Sequence, residues 1–439
     1  MSSQNLRAAC ADPASLFDRS DEELIHCVRK EFPQEFDRLR RACSIRDDPW
    51  TPPSTPSPSS ILYRKDHDEV NRTLVGILAL RWLHTGQYET FIGSQPSECQ
   101  LTRASFDWIR QFYTKTITDA DELFTLITSL VIKNLGKDPH FALDCRAKTG
   151  NDISALNHDA ILLAACKASL VPSLAQLSEK NRDDVLRTIE LGASFNFGQL
   201  AQAENAPVSL GGLRRLKDHE HSFRLRFMLQ LIEVAGAAGH MDWTCAKRLT
   251  QPVFESYRAV YDACEGVIAG TLSVRNAYDM VLIRRGEALR QDGVRLFNIE
   301  KNPDDRALMR LFCMGNVTTN DKALLYEDAW RALEDPVRES LRDALNLDGK
   351  RGEPAVQPTY MPALLDRTPD VDYLVRTLCY LARVMNARDV EDPSALVIER
   401  SMYDVLEQVV DSKEFRNDPS LLEKVDVPDG VVVLNTAMV

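Results

Sequence analysis

Phe223-Arg224-Leu225-Arg226-Phe227-Met228-Leu229-Gln230-Leu231-Ile232-Glu233-Val234-Ala235 is too apolar around its whole circumference to be a surface helix. Such a helix belongs at the centre of a core, where Glu233 becomes costly to bury. Outward from it, Val70, Leu74, Ile77, Leu78, Leu80 and Leu83 recur at three- and four-residue steps, as do Leu123, Leu126, Ile127, Leu130 and Val131, and the run Ala160-Ile161-Leu162-Leu163-Ala164. From Asp66 to about Ser340 this pattern is nearly continuous, so the expected fold class is mainly α, a large single helical domain with N- and C-terminal helical extensions.

The chain has 439 residues, 44% hydrophobic and 27% charged, which is enough to bury one large core or two ordinary ones. A formal charge of −12 argues against charge-driven binding of nucleic acid over the whole surface and gives no reason to expect DNA, while a local basic stripe can still hold a folded RNA. Ten cysteines without a Cys-x-x-Cys spacing read as buried free thiols. No leader-like apolar segment opens the chain and no run of about 18 apolar residues follows, so a cytoplasmic protein without a membrane partner is expected.

Ser20-Asp21-Glu22-Glu23 has the spacing that caps a helix start. Pro49-Trp50-Thr51-Pro52-Pro53-Ser54-Thr55-Pro56-Ser57-Pro58 reads as an extended loop, because proline cannot donate the backbone bonds a helix needs. The organisation expected is an N-terminal helical extension (1–48), a Pro/Ser-rich loop (49–60), a helical catalytic core (61–345) and a C-terminal helical region packed on it (346–439). In that last part Ile398, Met402, Val405, Leu406, Val409 and Val410 keep helical spacing, and only Val431-Val432-Val433-Leu434 reads as a strand, with no evident partner.

Three stretches carry candidate chemistry. Asn134-Leu135-Gly136-Lys137-Asp138 ends an apolar helix in a glycine turn that presents amide, ammonium and carboxylate groups, or is an ordinary helix stop. Asn157-His158-Asp159 stands at the electropositive start of the next apolar helix; Asn157 and Asp159 have capping chemistry, but an imidazole between them adds more than a cap requires. Glu233 to Trp243 places small residues beside Glu233, His240 and Asp242, the wall of a pocket or a close helix contact, and the two acids would suit a guanidinium. A basic run of Arg214, Arg215 and Lys217, continuing through His219, His221, Arg224 and Arg226, could contact RNA phosphates or be a solvated face. His67 and His84 could complete a metal set with His158-Asp159, although no spacing requires it, and no metal or cofactor is expected. No Gly-x-Ser-x-Gly elbow, Walker loop or dinucleotide glycine motif is present.

The stretches around 134 and 158 resemble a helical His-Asp metal-hydrolase scaffold in which the usual His-Asp pair before Leu-Gly-Lys has become Lys133-Asn134. A second resemblance runs over about residues 60 to 340: Asn134–Pro139, Gly150–Ile153 through Asn157–Leu162, Glu233–Asp242, and Met314–Thr318 before Tyr326–Trp330 are similar to the fungal arginine-containing cyclodipeptide synthases. That resemblance implies an aminoacyl-tRNA-dependent transferase of secondary metabolism, which joins arginine from arginyl-tRNA to a second aminoacyl group and closes a 2,5-diketopiperazine. Its partners would be two charged tRNAs. In that chemistry His158 would be the base, Asp159 its orienting group and Lys137 a holder of developing negative charge or of a tRNA terminus. Glu233, Asp242, His240, Asn157, Asn134 and Asp138 would be substrate contacts, and Arg214, Arg215 and Lys217 RNA contacts. The alternatives are a metal-dependent His-Asp phosphohydrolase or oxygenase, and a non-catalytic helical interaction protein.

Overall fold

Ser20 opens a helix as its spacing predicts, in a computed structural model that describes residues 5–42, 51–410, 412, 415 and 418–436. Its hydroxyl accepts from Glu23 N while the Glu23 carboxylate accepts from Ser20 N, and α1 (Asp21–Glu31) follows. Cys43, Pro49 and Trp50 lie outside the described residues. The Pro-rich loop is shorter than expected: Ser57 caps the helix Pro58–Tyr63, and Pro58 takes the first helical position, where its missing N–H costs nothing.

The protein is mainly α, and its chain divides into two compact units. One comprises Met1–Ala193 and Asp218–Glu255, the other Ser194–Lys217 and Ser256–Val439. The loop at 49–60 therefore lies inside the first unit and the break near 346 inside the second. Among the described residues no helix is long and apolar enough to cross a membrane.

Four helices of the first unit hold the candidate residues in place: α2 (Asp68–Thr85), α3 (Ala120–Ile132), α4 (His158–Lys167) and α5 (Glu220–Gly236). The all-apolar stretch from Phe223 forms α5, buried along most of its length. It packs on α2 backbone to backbone, because a Cβ on Gly236 would lie 2.4 Å from the Arg72 carbonyl oxygen and 2.7 Å from Gly76 N. Glycine at 236 brings the faces of α2 and α5 closer than a larger residue there permits.

In the second unit helices surround a three-stranded sheet of β1 (Ala355–Thr359), β2 (Ala395–Ser401) and β3 (Gly430–Asn435). The expected terminal strand is β3; it pairs antiparallel with β2, which pairs parallel with β1. The helical spacing read from Ile398 onward is corrected: Ala395-Leu396-Val397-Ile398 is a short buried apolar run, which periodicity alone does not separate from a helix, and it forms the middle of the sheet. Helix resumes at Tyr403, with a π-helical turn over Leu406–Val410. Arg310, fully buried, ties this unit together by donating to the carbonyls of Ala203 at 2.9 Å, Leu345 at 2.8 Å and Asn205 at 3.0 Å.

Candidate functional site

Gly136 decides where the first two candidate stretches meet. The turn Leu135–Lys137 lies so close to the start of α4 that a Cβ on Gly136 would fall 1.9 Å from the His158 carbonyl oxygen. Asn157 caps α4, its side-chain oxygen accepting from Ala160 N at 2.9 Å. Asp159, in the first turn of α4, is not spent on capping. Its Oδ1 accepts from Lys133 Nζ at 2.7 Å, and both side chains are only 8% exposed.

Burial opposes the charge on Asp159, but Lys133, His158 and Arg226 outweigh it and hold the carboxyl well below the usual carboxylate range. His158 stands with Nε2 3.6 Å from Asp159 Oδ1. Burial lowers its pKa, Asp159 opposes that, and Lys133 and Lys137 reinforce it. The imidazole is thus a neutral base at pH 7 beside a permanently charged carboxylate.

A second charge group adjoins the first. Buried Glu69 on α2 accepts on Oε1 from both Lys137 Nζ and Arg72 Nη1, each at 2.9 Å. Burial lowers the Lys137 pKa, and Glu69 partly restores it. From α5, Arg226 reaches the neighbourhood of Asp159 and bonds Gln230 Oε1 at 3.3 Å, while Glu233 lies close enough for its charge to act on His158 and Lys137.

Between these groups is a narrow cavity with room for about one water molecule. Thr73, Asn134 and Glu233 line it with Arg72 and Lys133, and Gly76 and Leu130 form its apolar side. Three oxygens of the lining residues, Thr73 Oγ1, Asn134 Oδ1 and Glu233 Oε2, are buried without a hydrogen-bond partner. Buried polar atoms in native proteins are nearly always paired, so three oxygens around one space that no protein atom bonds mark a candidate binding geometry.

The structure thus gathers Asn134, Lys137, His158, Asp159 and Glu233 into one site. Other candidates stand elsewhere. Asp138, itself buried, is clamped by Arg41 at 3.1 and 2.7 Å and by Arg38 at 3.1 Å, a structural pairing. Asp242 accepts from Ser94, from Thr244 Oγ1 at 2.6 Å and from Lys247 Nζ at 3.2 Å, and does not join Glu233 at the cavity. His240 is buried just beyond α5 and does not line the cavity. Arg214, Arg215 and Lys217 are exposed in the second unit, whereas Arg224 pairs with Glu220 and Arg226 is buried in the first, so the basic run is not one stripe. His67 contacts the Arg40 carbonyl and His84 the Tyr113 hydroxyl, both at 3.1 Å. Among the described residues no three His, Cys, Asp or Glu side chains converge as a metal-holding group.

Sequence reasoning missed Glu69, Arg72 and Thr73 as partners, and it treated Lys133 only as a lost metal ligand. The signal was present: 69, 72, 73 and 76 share one helical face, a polar strip on an otherwise apolar helix. The chain belongs to DUF6829, a family of unknown function whose model matches residues 25–422. No curated protein and no solved structure matches it.

Proposed function

We propose that this chain is an aminoacyl-tRNA-dependent cyclodipeptide synthase that joins arginine to a second aminoacyl group and closes cyclo(Arg-Xaa). The observation that carries this reading is a neutral imidazole, His158, held against the ionised Asp159, whose partner Lys133 lines a small cavity with unpaired acceptor oxygens. That arrangement suits removal of a proton from an amine. The amine nitrogen attacks the ester carbonyl, the C–N bond forms, the C–O bond to the tRNA ribose breaks, and the proton taken by His158 passes to the leaving ribose oxygen. Repetition with the second ester closes the ring. The ammonium groups of Lys133 and Lys137 would supply positive charge for the developing oxyanion; Lys133 pairs with Asp159 and Lys137 with Glu69. The ester already holds the required free energy, so the reaction needs no nucleotide motif, in keeping with the absence of one from the sequence.

The metal-dependent hydrolase alternative needs a convergent donor set, and beside Asp159 an ammonium stands instead. The test is expression in a host with its own charged tRNAs, followed by mass spectrometry of the extract. The expected result is an arginine-containing diketopiperazine that falls at least about a hundredfold in His158→Ala, the scale of losing a general base. Equal product from the variant removes His158 from the mechanism, and no product from the wild type refutes the reading.

A further inference from the structure

We infer that the cavity between α2, α3 and α5 is a subsite for a primary ammonium group, and that it holds the α-amino group of the bound aminoacyl substrate rather than a guanidinium. This rests on the aminoacyl-transfer reading for the identity of the substrate, though not for the chemistry of the subsite. Three observations meet. Thr73 Oγ1, Asn134 Oδ1 and Glu233 Oε2 all lack partners, and Thr73 and Asn134 are 4% and 5% exposed. An –NH3⁺ group has three donors and no acceptor, matching three acceptor oxygens one to one. The size also decides: a space with room for about one water accepts a nitrogen of that size, while a planar guanidinium brings four heavy atoms.

Charge selects in the same direction. The other charges near the cavity are already engaged, Lys133 by Asp159 and Arg72 and Lys137 by Glu69, while Glu233 Oε2 is buried without a hydrogen-bond partner. An incoming ammonium therefore meets one carboxylate oxygen that no hydrogen bond engages and two neutral acceptors. His158 feels the charge of Glu233, so the same nitrogen lies near the base that would take its proton.

Gly76 offers a test that does not break the fold. A Cβ there would meet Ile232 O at 3.4 Å, Ile232 Cγ2 at 3.5 Å and Leu130 Cδ2 at 3.9 Å, ordinary contacts, on a residue that lines the cavity. Binding of arginine methyl ester and of its Nα-acetyl derivative to the full chain is measured by isothermal titration. Both carry the guanidinium, but only the first has a free α-amine. The expected result is at least tenfold weaker binding of the acetylated ester, with a loss at least as large for the free-amine ester in Glu233→Gln and in Gly76→Ala. Equal binding of the two esters, no binding of either, or wild-type binding by both variants overturns the subsite. Cyclodipeptide formation without amine-selective binding refutes the subsite alone; amine-selective binding without cyclodipeptide refutes the reaction alone.

Discussion

Replacing Lys133 by methionine isolates the interaction on which the site is built. The ammonium lies 2.7 Å from Asp159 Oδ1 with both side chains 8% exposed, and the variant leaves a carboxylate buried without its closest counter-charge. Breaking such a pair costs about 3–5 kcal/mol. Because Arg226 still acts on Asp159, the lower end applies, about 3 kcal/mol. For a unit of about 150–250 residues each kcal/mol moves the midpoint about 2–4 °C, so Lys133→Met lowers Tm by about 6–12 °C. Thermal unfolding followed by tryptophan emission reads this directly, since Trp82, Trp108 and Trp243 lie in the first unit and, among the other described residues, only Trp330 in the second. The double variant Lys133→Met/Asp159→Leu recovers most of the loss, because a buried ion pair replaced by apolar groups is close to neutral. The pH dependence has a defined sign. Asp159 has a depressed folded-state pKa, so its contribution is intact above the unfolded value of about 3.9 and is lost as pH falls through the lower folded value. Without Lys133 the depression shrinks, so the gap between wild type and variant is constant from pH 7 to about pH 4 and narrows only as pH falls below about 4. A variant that melts within 2 °C of wild type at pH 7 (about 1 kcal/mol or less off the wild-type stability) refutes the reasoning.

In the second unit burial raises the Glu204 pKa to about 8, with Glu399 adding to the shift and the Tyr360 N–H and Arg310 opposing it. A raised folded-state value means stability that is complete below the unfolded pKa of about 4.3 and declines as pH rises through about 8; Glu204→Gln should therefore raise Tm at pH 8 and leave it nearly unchanged at pH 4, as circular dichroism melts would show. Gly136→Ala, with its Cβ 1.9 Å from a backbone oxygen, should cost at least about 2 kcal/mol in urea unfolding and separate the turn from α4. Gly236→Ala, 2.4 Å from the Arg72 carbonyl, should destabilise on a similar scale, whereas Gly76→Ala should fold as well as wild type or better by up to about 1 kcal/mol, since alanine favours helix.

Helical class and the central place of α5 were legible because an all-apolar helix has only one place to go, and the capping box at Ser20 was legible because its chemistry is local. The meeting of the 134 and 158 stretches was partly legible through Gly136 and the cap at Asn157. Glu69 and Arg72 were not, because their partners are distant in the chain and α2 reads as core packing. Asp138 and Asp242 were misplaced for the converse reason: Arg38, Arg41 and Lys247 satisfy them, and no spacing announces those pairings. The middle strand was missed because four consecutive buried apolar residues have no period.

The most direct measurement supplies the purified protein with arginyl-tRNA and a second charged tRNA, without ATP, and follows product by mass spectrometry with and without ribonuclease. The account predicts cyclo(Arg-Xaa) that disappears when the RNA is digested first. Product formed equally well from free arginine and ATP, or no product from charged tRNA under any pairing, contradicts it.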